Sequence, residues 1–199
     1  MISYAMYAFF FLFCLALALL INRLLLKFAQ SLGVRNNNEL DQVRWSAEVK
    51  PSLGGLSFFL IFLIAVAAAG FLPSISNSLF QDQKLLGVIA ATTLGFIIGL
   101  ADDSYNTNPL VKFMGQLTCA FILIFSNLYI VATGNPAVDY FVTILWVVGL
   151  MNSINMLDNM DGITATAAIV ILLTALAFLF LIPNPFPPLI LIVFAVLAA

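Results

Sequence analysis

The polar interruptions of this chain cut it into apolar stretches of nearly constant length, and that spacing decides most of what it can become. A helix needs about 20 apolar residues to cross roughly 30 Å of hydrocarbon. Seven such stretches follow one another here, at 4–21, 53–72, 85–101, 113–132, 138–156, 163–182 and from 189 onward. Composition agrees, because 63% of the residues are hydrophobic and only 8% charged, where an ordinary soluble domain carries about 25% charged residues. The expected fold is all-α, a polytopic membrane helix bundle of about seven spans with the last truncated, forming a single domain over 1–199. No internal period of the kind that marks soluble repeat proteins is present.

Orientation follows from the basic residues. No positive charge precedes the first apolar run, and Arg23 and Lys27 follow it, so it reads as a retained span with the N-terminus outside rather than as a signal peptide. The first loop and its flanks hold Arg23, Lys27, Arg35, Arg44 and Lys50, the third holds Lys112, and the second has only Lys84. Short cytoplasmic loops retain Lys and Arg, which puts the loops near 22–52, 102–112 and 157–162 in the cytoplasm. Tyr4, Tyr7, Tyr129 and Tyr140 then fall at outer ends, with Tyr105 and Trp45 inside, as interfacial aromatics should. The other connections are short, so neighbouring helices should pack antiparallel. The chain stops about 11 residues into an apolar run, and the expectation is an N-terminal piece of a longer protein.

What the chain lacks narrows its chemistry. Seven Lys and Arg against nine Asp and Glu leave no basic surface for nucleic acid. Histidine is absent, which removes the commonest metal ligand and general base. Cys14 and Cys119 lie inside apolar runs and read as packing residues. Thr92, Thr93 and Thr118 should bond back to their own helices.

The remaining polar residues cluster in the odd loops. The third carries Asp102 and Asp103 at the end of an apolar helix, where two like charges and the helix dipole favour a bound cation. All available ligands are hard oxygens, so the ion would be Mg²⁺; the alternative is a helix boundary facing water. Lys112 fits a membrane anchor by position alone. In the fifth loop Asn152, Asn155, Asp158 and Asp161 recur every three residues without a basic neighbour, and Gly162 lets the backbone turn after them. Two amides entering an apolar span point to a ligand site. In the first loop Lys50 precedes Gly54 and Gly55 at a helix start, an arrangement suited to phosphate or to helix packing.

Together, Lys50 to Gly55, then Asp102, Asp103, Pro109, Lys112 and Gln116, then Asn152, Asn155, Asp158, Asp161 and Gly162, resemble the motifs of the polyprenyl-phosphate N-acetylhexosamine-1-phosphate transferases of glycosyltransferase family 4. The resemblance implies transfer of a sugar 1-phosphate, of the GlcNAc type, from a UDP-N-acetylhexosamine to undecaprenyl phosphate with release of UMP. It implies a bacterial inner-membrane enzyme with Mg²⁺, or Mn²⁺ in its place. By the same resemblance Asp102 and Asp103 hold the metal or orient and deprotonate the lipid phosphate, and Asn155 ligates the metal. Lys50, Gly54, Gly55, Lys112, Asn152, Asp158, Asp161 and Gly162 meet substrate. Partners are the lipid phosphate, the nucleotide sugar, membrane lipids and a second copy in a homodimer. Lys50-Pro-Ser-Leu-Gly-Gly is unlike the corresponding stretch of the peptidoglycan-precursor branch. The family's later carboxylate and histidine loop are not in the chain, so it should be inactive by itself. An ion-coupled transporter or a truncated, non-catalytic scaffold are the rival readings. Transporter ligands, however, lie near the bilayer midplane, whereas these acids gather at one interface.

Overall fold

The computed structural model describes residues 4–32, 54–71, 82–105, 107–157, 162–181 and 187–198. Through them run α1 Tyr4–Leu32, α2 Gly54–Phe71, α3 Gln83–Tyr105, α4 Pro109–Phe125, α5 Pro136–Leu157, α6 Ile163–Leu181 and α7 Pro187–Ala198, with no strand among the described residues. One helix answers to each apolar stretch. Four are long and apolar enough to cross a membrane, over Met6–Lys27, Gln83–Asp103, Pro136–Leu157 and Ile163–Leu181, while Gly55–Ala68 and Pro109–Phe125 are shorter apolar helices. The outward faces are hydrocarbon-like: Phe9, Phe125 and Leu181 are 71%, 76% and 80% exposed. Water would oppose that exposure by about 1.5–3 kcal/mol per side chain, and lipid would not. The chain is a multi-pass membrane protein.

The helix ends differ from the apolar boundaries for local reasons. Asp82, Asn108 and Asn135 each sit just ahead of a helix and accept a hydrogen bond from the backbone two residues on, at Lys84, Leu110 and Ala137. These are N-caps, and at the last two a proline follows at the first helical position. Thus α4 begins at Pro109, ahead of the apolar run at 113, because Asn108 and Pro109 set its first turn. It also ends at Phe125, short of the expected 132. Asn127 takes φ +58°, and the N–H groups of Asn127 and Leu128 donate back to the carbonyls of Ile124 and Leu123, the left-handed cap that closes many helices. Helix α1 overruns its expected end at 21 and reaches Leu32, since Arg23 and Lys27 can lay their stems along the helix and lift their charges to the interface.

The core lies among α1, α2, α6 and α7. Ile190 and Ala195 of α7 are buried against Cys14 and Ala18 of α1, Ile61 and Ala65 of α2, and Leu176 of α6. Small side chains at these points allow close helix approach. Cys14 and Cys119 are both free and buried, in keeping with packing roles. A second group, α3, α4 and α5, carries the polar side chains, and Phe59 of α2 stacks on Phe96 of α3 at 4.0 Å to join the two.

Candidate active site

The site is a consequence of antiparallel register. Along the α3–α4 seam a Cβ at Gly87 would meet Ser126, and one at Gly115 would meet Ile98. Between these the Cys119 thiol points to the Ala91 carbonyl at 3.6 Å. Continuing the same register past Ile98 and Gly115 brings Asp102, in the last turn of α3, to Lys112, in the first turn of α4. Lys112 Nζ donates to Asp102 Oδ2 at 2.7 Å. It also donates to Asn155 Oδ1 of α5 at 3.1 Å, so one ammonium joins three helices.

One turn deeper the α4–α5 seam repeats the pattern. Gln116 is only 2% exposed, and it exchanges hydrogen bonds with Asn152: Gln116 Nε2 donates to Asn152 Oδ1 at 3.2 Å, and Asn152 Nδ2 donates to Gln116 Oε1 at 2.9 Å. Lys112 and Gln116 are four residues apart, Asn152 and Asn155 three apart, so each pair shares a helix face. Thr107, just past the end of α3, donates its hydroxyl to Asp102 Oδ1 at 2.7 Å. Both oxygens of Asp102 are therefore engaged, on separate sides. A cavity of about 480 Å³ opens here, with Asp102, Thr107, Lys112, Gln116 and Asn152 on its polar side and Pro109 and Phe113 on its apolar side.

Of the residues expected to act, the structure brings together Asp102, Lys112, Asn152 and Asn155. Asp103 is the next position of the same helical turn and is exposed, turned about 100° from Asp102. Gly162 takes φ +79° at the start of α6, a backbone state that suits glycine, and its carbonyl accepts from both the N–H and the hydroxyl of Thr166. Gly54 is the first residue of α2. A Cβ at Gly55 would meet nothing within 4 Å among the described residues. The Phe59–Phe96 stack joins the second turn of α2 to the middle of α3, six residues before Asp102, so Gly54, Gly55 and Asp102 lie at one end of the bundle. Lys50, Asp158 and Asp161 lie outside the described residues.

The oxygens suit a hard cation. Asp102 Oδ2 and Asn155 Oδ1 come from different helices and already converge on one positive charge. No three Asp, Glu, His or Cys side chains gather as a closed metal cage among the described residues. Mg²⁺ is commonly held by one or two carboxylates with substrate phosphates and water completing its shell, and the donors present fit that pattern.

Sequence reasoning left Thr107 and Gln116 without assigned roles. A glutamine inside an apolar helix was the available signal for the second; nothing local announces the first. Asp139 was missed as well. It is 2% exposed, at the opposite end of the bundle, where its carboxylate accepts from the N–H groups of Ala132, Thr133 and Gly134 and from the Thr133 hydroxyl. The backbone of the 126–135 loop, whose apolar residues had extended the expected fourth span, is tied down there. Thr93 and Thr118 bond to the carbonyls of Ile89 and Met114 in their own helices, as expected.

An apolar helix bundle that gathers a carboxylate, an ammonium and paired amides at one end has the build of a membrane enzyme acting on polar groups at the bilayer surface. Residues 85–199 match glycosyl transferase family 4, and the chain belongs to that family. It is 33% identical over 138 residues to a decaprenyl-phosphate N-acetylglucosaminephosphotransferase of Mycobacterium tuberculosis, covering 64% of this chain and 33% of that one. The counterpart of that name in Mycobacterium leprae is 32% identical over 138 residues, covering 64% and 34%. A phospho-N-acetylmuramoyl-pentapeptide-transferase of Campylobacter lari is 28% identical over 153 residues, covering 67% and 42%. The chain thus spans about a third to two fifths of the length of these curated relatives. No solved structure matches it.

Proposed function

We propose that this chain builds the lipid-phosphate end of an enzyme that transfers N-acetylhexosamine 1-phosphate, of the GlcNAc type, from a UDP-sugar to undecaprenyl phosphate. The observation that carries the reading is the meeting of Asp102, Lys112 and Asn155 at one end of an apolar bundle. A phosphate tethered by a long hydrocarbon tail stays where polar heads meet hydrocarbon, and Lys112 offers it a cation at that depth. Similarity to relatives that act on polyprenyl phosphates supports the same assignment.

In the reaction an oxygen of the lipid phosphate bonds to the β-phosphorus of the nucleotide sugar. The bond from that phosphorus to the bridging oxygen breaks, and UMP leaves with the electron pair. Such transfers depend on positioning and charge neutralisation more than on covalent help from the protein. Lys112 pairs with phosphate, Asp102 and Thr107 orient Lys112, and Asn152 is held by Gln116 on the nucleotide side. A base contributes little, since a phosphate with a second pKa near 6 is already largely ionised. Asp102, Asp103 and Asn155 would hold Mg²⁺, or Mn²⁺ in its place, which when bound neutralises the diphosphate. Lys50, Gly54, Gly55, Asp158, Asp161 and Gly162 belong to the substrate side in this reading, on the cytoplasmic face of the bacterial inner membrane. The reaction would be the first membrane step of a cell-envelope polysaccharide.

A transporter is disfavoured because its ligands would lie mid-helix, whereas these three occupy helix ends. The deciding experiment is release of UMP from UDP-GlcNAc and undecaprenyl phosphate by the full-length protein. Asp102→Asn should lower the rate by roughly a hundredfold or more, and unchanged turnover would remove Asp102 from the mechanism.

A further inference from the structure

We infer that Lys112 and a divalent cation exclude one another from the same two oxygens, so that Lys112 is the resident cation on Asp102 and Asn155 until a metal displaces it. The inference rests on the proposed metal-dependent function. Its geometric basis is that one ammonium spans both acceptors, at 2.7 Å from Asp102 Oδ2 and 3.1 Å from Asn155 Oδ1. A magnesium ion takes its oxygens at about 2.0–2.1 Å. Two cations cannot both claim this pair of oxygens at bonding distance without strong repulsion between them.

The surroundings keep Asp102 and the backbone that carries Asn155 in place without the lysine. Asp102 is held through its other oxygen by the Thr107 hydroxyl at 2.7 Å. The spacing of α4 and α5 is fixed one turn deeper by the reciprocal Gln116–Asn152 pair. The movable partner is Lys112 itself, a compact charge on a flexible four-carbon stem beside a cavity of about 480 Å³. Displacement therefore needs only a side-chain rotation, and it delivers a free ammonium into the space a substrate phosphate would enter. Metal and phosphate binding then become mutually favourable, since the metal sends Lys112 toward the phosphate and the phosphate draws Lys112 off the metal's oxygens. Without substrate the protein holds metal weakly because its own lysine competes.

The test is Mn²⁺ binding, followed by electron paramagnetic resonance on the full-length protein in detergent without nucleotide. Lys112→Met should tighten Mn²⁺ binding by roughly tenfold, since it removes both competition and repulsion. Lys112→Gln, a milder change that keeps a polar side chain, should tighten it in the same direction, while Lys112→Arg should not. Asp102→Asn should weaken binding. If Asp102→Asn weakens binding but neither neutral Lys112 variant tightens it, the exchange is overturned and the metal site stands. If Mn²⁺ binding is indifferent to Asp102 as well, the proposed metal site falls with it.

Discussion

Gln116 and Asn152 hold each other by both ends of their amides, with Gln116 Nε2 donating at 3.2 Å and Asn152 Nδ2 at 2.9 Å. Gln116 is buried while Asn152 is exposed at the mouth of the cavity, so the buried partner aims the accessible one. Gln116→Leu nearly keeps the volume and removes both bonds. The stability cost should be on the order of 1–2 kcal/mol, since Asn152 can turn to water and no orphaned polar group stays buried. UMP release should fall roughly tenfold through loss of Asn152 orientation, while the melting temperature moves by only a few degrees. A full loss of fold, or no change in rate, would reduce the pair to packing.

Asp139 gives the opposite expectation. Its carboxylate accepts three backbone N–H groups and one hydroxyl, and Thr143 nearby takes the N–H of Ile130 at 2.9 Å. Asp139→Ala strands these donors and should cost about 2–4 kcal/mol. Asp139→Asn should cost less, because its carbonyl can still accept from Ala132 and Thr133 while its amide cannot accept from Gly134. Thermal melting in detergent should rank wild type above Asn above Ala. Turnover at the far end, corrected for folded protein, should be unchanged.

The apolar runs locate every helix among the described residues, because lipid demands a certain length of hydrocarbon contact. They do not locate the ends. The ends of α4 answer to Asn108 and Pro109 at one side and Asn127 at the other, which are capping events that hydropathy does not register. The site was legible as sets of residues and not as an arrangement. Asp102 and the Asn152–Asn155 pair stand out because polar groups are scarce near hydrocarbon. Lys112, by contrast, fits a membrane anchor equally well until its acceptor Asn155, 43 residues away, comes beside it in space. Thr107 and Asp139 look ordinary in sequence because their partners are set by backbone turns.

The α3–α4 seam offers a test of how closely the site depends on helix spacing. A Cβ at Gly115 would stand 2.5 Å from Ile98 Cδ1, the mobile tip of a side chain, whereas one at Gly87 would collide with the Cβ and Oγ of Ser126. Ile98 can rotate away; Ser126, buried beside the end of α4, cannot move without its backbone. Gly87→Ala should therefore destabilise by about 1–3 kcal/mol and Gly115→Ala by less. Adding Ser126→Gly to Gly87→Ala should recover most of the loss in a thermal melt. Equal costs at the two glycines would mean the seam is looser than the contacts imply.

Membrane orientation can be read with single cysteines, because Cys14 and Cys119 are both buried and should give little background. Ala137 and Leu110 are exposed positions in the first turns of α5 and α4, at opposite ends of the bundle. If Asp102, Lys112 and Asn155 face the cytoplasm, Ala137→Cys should react with a membrane-impermeant maleimide applied to intact cells. Leu110→Cys should react only after the membrane is opened. The basic residues of the first loop favour this direction under the positive-inside bias, and the proposed nucleotide-sugar reaction needs it if that substrate is cytoplasmic. Labelling of Leu110→Cys from outside would reverse the orientation and separate the Asp102 site from any cytoplasmic substrate.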